Sequence, residues 1–153
     1  MAGSVRTLHQ LQDEGAIERR DIGHAQLAKW LDRSERDLTL AKHARRIDDL
    51  ERAATLVYEA GLRCCIVLLA VHGYRLRSVE GHHRAALEAA RAIGGRELEP
   101  TMSRLDDARR MRNESLYGSS RTIGDSEFTR LEADVQALLR MTTEAIRGQT
   151  RRR

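Results

Sequence analysis

Apolar residues recur along most of the chain at three- and four-residue steps, the spacing of one face of an α-helix. A short N-terminal helix is predicted over about 5–14, with Leu8 and Leu11 on one side. Glu18 to Gly23 is charged, ends in glycine and reads as a connection. A first long helix runs from about His24 to Ile47, with Leu27, Trp30, Leu31, Leu38 and Ala41 as its apolar stripe. A second, from about Asp49 to Arg77, carries Ala53, Leu56, Val57, Ala60, Cys64, Val67, Leu68 and Val71, and Leu62, Ile66 and Leu69 fill much of the remaining circumference. A helix apolar nearly all round is packed on several sides, at the centre of a bundle or in a dimer interface. Gly61 and Gly73, read as interior to that helix, each cost about 1 kcal/mol against alanine; close approach of a neighbouring helix would account for Gly61.

A third helix, over about Gly81 to Ile93, stops at Gly94-Gly95. A fourth, over about Glu99 to Leu116, starts beside Pro100, which suits a first turn, and Gly118 is placed to end it. Ser119 to Gly124 reads as a polar loop. Asp125 reads as the N-cap of a last helix ending near Arg147, with Phe128, Leu131, Val135, Leu138, Thr142 and Ala145 facing the bundle. The fold class expected is all-α: an antiparallel bundle of about four to five helices, with 1–22 as an N-terminal extension, 23–148 as the bundle and 149–153 as a basic tail.

Composition narrows the picture. A length of 153 residues suits one domain that needs no disulfides or metals. One Phe, one Trp and three Tyr are too few for a β-sandwich core or a base-stacking platform. Cys64 and Cys65, adjacent in an apolar run, form neither a disulfide framework nor a zinc site and read as buried intracellular thiols. The longest apolar run, Cys64 to Val71, falls short of the roughly 20 residues that span a bilayer. Met1 to Gln12 has no apolar signal core. These features point to a cytoplasmic protein with no membrane role. The net charge is +4, and Arg151, Arg152 and Arg153 supply three of those charges. Such a tail binds RNA or an acidic surface, or is simply a solvated end. Only Lys29 and Lys42 are lysines; the other basic residues are arginines, bidentate donors for carboxylate or phosphate.

The common catalytic and cofactor motifs are missing, and no cofactor or metal is expected. His82 and His83 are neighbours on a helix and so diverge; they read as surface residues, and His24, His43 and His72 as isolated. The informative stretch is Arg109-Arg110-Met111-Arg112-Asn113-Glu114-Ser115-Leu116-Tyr117-Gly118. Arg112 and Tyr117 are placed to share one side of a helix end. Arg112 can grip phosphate, Asn113 can position a hydroxyl and Tyr117 offers a phenol. The plainer alternative is that these arginines complement the helix dipole and Tyr117 closes the bundle. The wider cluster from Arg104 to Arg112 includes Asp106 and Asp107, so its net charge is modest.

On these residues the chain resembles the HEPN superfamily, helical domains of prokaryotic toxin–antitoxin and defence systems. Ser34-Glu35-Arg36-Asp37-Leu38 resembles the family's first-helix pattern, and Tyr58-Glu59-Ala60-Gly61-Leu62 its apolar second helix. Arg112-Asn113 matches the start of the late-helix motif, in which Arg and a polar residue are followed by a short spacer and a His. The resemblance spans about 24–147. Where active members carry the His, this chain has Tyr117, and no His follows it. A phenol with a pKa near 10 is a poor base at neutral pH. The resemblance therefore implies an antitoxin that binds and neutralises a nucleotidyltransferase toxin. Arg109, Arg110, Arg112 and Tyr117 would contact the partner or RNA, and the chain would form a homodimer or heteromer through its apolar second helix. The alternative it implies is a metal-independent ribonuclease toxin using Arg112, Asn113 and Tyr117 at a dimer seam, with Asp37 orienting Arg112. A further alternative is a non-catalytic nucleotide- or RNA-binding defence module.

Overall fold

In a computed structural model, residues 6–77, 81–116 and 123–152 are described, with side chains for all of these except 113–116 and 150–152. The order is α1 (Leu8–Asp13), β1 (Ile17–Arg19), α2 (His24–Arg46), α3 (Leu50–Val71), β2 (Tyr74–Leu76), α4 (His82–Gly94), a 3-10 turn (Gly95–Glu97), α5 (Glu99–Leu116) and α6 (Asp125–Arg152). The chain is an all-α bundle with a two-stranded sheet at one end.

Side chains satisfy the free amides at the starts of α1 and α3. Thr7 and Gln10 form a reciprocal capping box on α1, and Asp49 accepts from the Arg52 amide at the start of α3. Between α2 and α3 the chain turns at Asp48, whose φ of 60° an aspartate tolerates better than most residues. The two helices then run back antiparallel.

Helix α3 is the centre of the bundle and packs against α2, α4, α5 and α6. Val57, Tyr58, Ala60, Cys64, Val67 and Leu69 are sealed from solvent, each larger apolar side chain contributing roughly 1.5–3 kcal/mol. By length and composition α3 could cross a membrane, although its longest uninterrupted apolar run is short; most of its surface is buried within the chain. At Gly61 the neighbouring helices press close. A β-carbon there would lie 2.7 Å from Leu105 Cδ2 on α5 and 3.0 Å from Val135 Cγ2 on α6. From α6, Phe128, Leu131, Val135, Leu138 and Thr142 complete the core, and Ala145 is only half-buried.

The structure corrects four element boundaries. The second long helix ends at Val71, not Arg77. Gly73 adopts φ 84° in the turn that follows, so it is a turn residue, not an interior helical one. The next residues form β2, antiparallel to β1, with Ile17 opposite Leu76 and Arg19 opposite Tyr74. Glu18 is therefore in a strand, where it pairs with Arg75, and not in a plain connection. At the last helix, Asp125 is the first helical residue, and the Gly124 carbonyl ahead of it accepts from the Phe128 amide at 2.9 Å. That helix continues to Arg152, past the expected stop at Arg147.

The N-terminal residues are built into the same body. Arg6 donates from Nε to Glu88 Oε2 and from Nη2 to Glu88 Oε1, both at 2.9 Å, joining the start of the described chain to α4. Burial pushes the Glu88 carboxyl upward, but the Arg6 hydrogen bonds and the Arg84 charge outweigh it, and the group ends below its ordinary pKa.

Candidate binding groove

Beyond its first turn, two charged residues interrupt the apolar sequence of α3, Glu59 and Arg63. Four residues apart, they lie on one side of the helix. That side forms the floor of an open groove of about 350 Å³. Its lining is Trp30 from α2; Glu59, Leu62, Arg63 and Ile66 from α3; His83 from α4; and Arg112 from α5.

Arg63 is held from behind. Its Nη1 donates to Asp37 Oδ2 at 2.8 Å across the α2–α3 seam, and Asp37 is only 1 % exposed. Asp37 Oδ1 accepts no hydrogen bond of good geometry, and the Arg33 guanidinium stands 3.5 Å away. Next to this pair, Ser34 Oγ donates to the Ala60 carbonyl at 3.2 Å, so the two helices are pinned by polar as well as apolar contacts. Arg63 thus reaches the groove with its orientation fixed and its charge partly offset.

Arg112 is held more loosely. Its guanidinium lies 5.9 Å from the centroid of the Tyr58 ring and 3.8 Å from Glu59 Oε1, and it is about one-third exposed. Tyr58 lies under the groove, and burial pushes its phenol up to about 12 despite the lowering effect of Arg109 and Arg112. Its Oη is 3.4 Å from His83 Nδ1. Burial, followed by the charges of His82, Arg112 and Arg109, lowers the His83 pKa below 6.5. Both shifts favour a neutral phenol donating to a neutral imidazole.

The structure separates the residues singled out in the sequence. Arg112 lines the groove. Arg109 and Arg110 instead pair with Asp106 on their own helix, at 3.0 Å and 2.8 Å. Arg104 is paired with Asp134 on α6. Asp37 does not orient Arg112; it clamps Arg63, because the α2–α3 register sets it opposite that residue. Asn113 belongs to α5, but its side chain lies outside the described residues, as does Tyr117 altogether.

Sequence reading missed Trp30, Glu59, Arg63 and His83 as site residues. Glu59 and Arg63 did leave a signal: they are charges within the otherwise apolar stretch of α3 from Leu56 on. Trp30 sits on the apolar stripe of α2, yet it is only partly buried, at the groove wall. His83, read as a surface residue, is half-buried against Tyr58.

Among the described residues no cluster of three His, Cys, Asp or Glu side chains is placed to hold a metal. Burial pushes the Cys64 thiol up to about 12 and the Cys65 thiol further in the same direction, so neither is a ready nucleophile. The groove can therefore hold an anion against two guanidiniums, pack an apolar group on Trp30, Leu62 and Ile66, and offer one neutral imidazole. Compared with known proteins, the chain matches no family model and no curated sequence.

Proposed function

We propose that this chain is a HEPN-like, non-catalytic binding domain: an antitoxin that neutralises a cognate nucleotidyltransferase toxin in the bacterial cytoplasm. The observation that carries the reading is the groove. Arg112 stands 3.8 Å from its carboxylate partner and beside the anchored Arg63, over a partly apolar floor. A loosely paired guanidinium can exchange its partner at little cost. A protein whose own site is built on carboxylates offers a complementary surface. Because α3 spends most of its apolar surface within the chain, we place the contact with the nucleotidyltransferase, or with a second copy of this chain, at the one side of α3 that floors the groove. Arg109, Arg110 and Tyr117 remain proposed partner contacts.

The test is growth of a bacterial host expressing this chain, the neighbouring gene product, or both. Arrest by the neighbour alone, relieved by co-expression, supports the antitoxin role. A harmless neighbour, or arrest that co-expression leaves unchanged, refutes it.

One observation favours a second reading, a ribonuclease toxin. His83 places an imidazole in the same groove as Arg112, although no His follows the Arg112-Asn113 motif. On that reading His83 handles protons and Arg112 the phosphate, with Asn113 and Tyr117 nearby in sequence. It requires that the chain alone arrests growth and cuts RNA, and that both H83A and R112A abolish cleavage.

A further inference from the structure

The groove's chemistry narrows what it accepts. Its lining carries two guanidiniums, Arg63 and Arg112, and one carboxylate, Glu59. Asp37, buried behind Arg63, offsets a further positive charge. Glu59 and Asp37 each offset one guanidinium, so displacing Glu59 leaves one positive charge unmatched, which suits a singly charged group better than a doubly charged phosphate monoester. The walls point the same way. Trp30, Leu62 and Ile66 present an apolar shelf beside the two cations, and Trp30 combines a large contact area with a location at an open rim. About 350 Å³ holds one or two side chains, not a folded segment.

We infer that the groove docks an acidic–apolar segment of a partner protein, one Asp or Glu carboxylate on Arg112 with a neighbouring aromatic or aliphatic side chain on the Trp30–Leu62–Ile66 shelf. This deepens the antitoxin reading and rests on it for the identity of the partner, not for the chemistry of the contact. When the carboxylate docks, Arg112 exchanges Glu59 for a stronger, two-point partner. Glu59 then turns to solvent, where it is already partly exposed. Arg63 stays on Asp37 and contributes orientation and field. His83, kept neutral beside Tyr58, adds no charge for the entering group to match.

Trp30 is the chain's single tryptophan, so its fluorescence and its indole N–H resonance report on this groove alone. The probe is the acetylated, amidated tetrapeptide Glu-Phe-Leu-Glu, titrated into the full chain. The controls are the corresponding Gln-Phe-Leu-Gln peptide and adenosine monophosphate. The expected result is a saturable Trp30 signal with the acidic peptide. It should weaken about tenfold for the amide peptide and about tenfold in R112Q, as loss of a charge-assisted hydrogen bond requires. Circular dichroism checks that R112Q is folded, and R112K, which keeps the charge but loses the fork, should fall between.

Equal binding of the two peptides would overturn the inference. So would tighter binding of adenosine monophosphate, which would make the groove a nucleotide site. Unchanged binding in R112Q, or no saturable signal up to about 10 mM peptide, would overturn it too. The growth assay separates the two ideas. Rescue that survives R112Q leaves the antitoxin role standing and removes the groove from it. Peptide binding without any rescue leaves the groove standing and removes the antitoxin role.

Discussion

Replacing Gly61 by alanine sets two effects of known size against each other. In an isolated helix the change gains about 1 kcal/mol. In this protein the new methyl would stand 2.7 Å from Leu105 Cδ2 and 3.0 Å from Val135 Cγ2. Ordinary carbon contacts begin near 3.5 Å, so α5 or the Leu105 side chain must retreat by roughly 1 Å. Leu105 and Val135 are both fully buried, so a retreat must be taken up within the core. Overpacking of this kind costs about 1–3 kcal/mol, and the worst of the overlap falls on the core side of a central helix. We expect the clash to win, with a net loss of about 1–2 kcal/mol and a Tm lower by roughly 2–8 °C for a chain of this size. Urea unfolding monitored by circular dichroism measures the first quantity and a thermal scan the second. The paired experiment uses L105A, which alone costs about 2–5 kcal/mol. In that background the methyl has room, and G61A should become neutral or stabilising. A raised Tm for G61A alone would refute the claim that α3, α5 and α6 meet at this glycine.

Three further predictions follow from the groove and its supports. D37A removes the carboxylate between Arg63 and Arg33, and because Arg63 is a quarter exposed the loss should fall at the low end of the buried-pair range, about 3 kcal/mol; a loss under about 1 kcal/mol by urea unfolding would show that the clamp is unimportant. His83, with its folded pKa below 6.5, takes up a proton more readily unfolded than folded, so stability falls as pH drops through about 6.5 toward the folded value. H83Q should flatten that part of the wild-type Tm-against-pH curve, and an identical slope in both would contradict the placement. Tyr58 has the opposite sign: its stabilisation is present below pH 10 and is lost as pH rises toward about 12. An ultraviolet absorbance titration should show a tyrosine ionising near pH 12, and Y58F should remove that step.

The helices were largely legible because their signals are local. The Gly94-Gly95 pair ends α4, Pro100 sits in the first turn of α5, and the stripe from Phe128 to Thr142 is the buried face of α6. The close approach at Gly61 could also be read, since a glycine in an apolar helix needs a reason. The strands could not. Three residues each are too few for an alternation, and β2 continues an apolar helix with no break except Gly73. The site was half-legible. Arg112 stood out by its neighbours in sequence, but what it meets does not. Glu59, Tyr58 and His83 come to it from two other helices, and Asp37 finds Arg63 only through the α2–α3 register. Facts of that kind depend on how helices are set against one another, which no single-helix pattern encodes.

The sheet at the end of the bundle has a consequence for evolution by insertion and deletion. Strand β1 enters α2 and β2 leaves α3, so the helical hairpin acts as a caliper whose tips must meet. Its arms have 23 and 22 residues, about 34 and 33 Å at the α-helical rise. One residue added to either arm would move its tip by about 1.5 Å and rotate it by about 100°. The Ile17–Leu76 pairing would then slip, and the face of α2 that carries Trp30, Ser34 and Asp37 would turn away from α3. Length in this chain is therefore expected to vary outside the caliper, or in both arms together, with changes confined to one arm penalised at the sheet and at the groove alike.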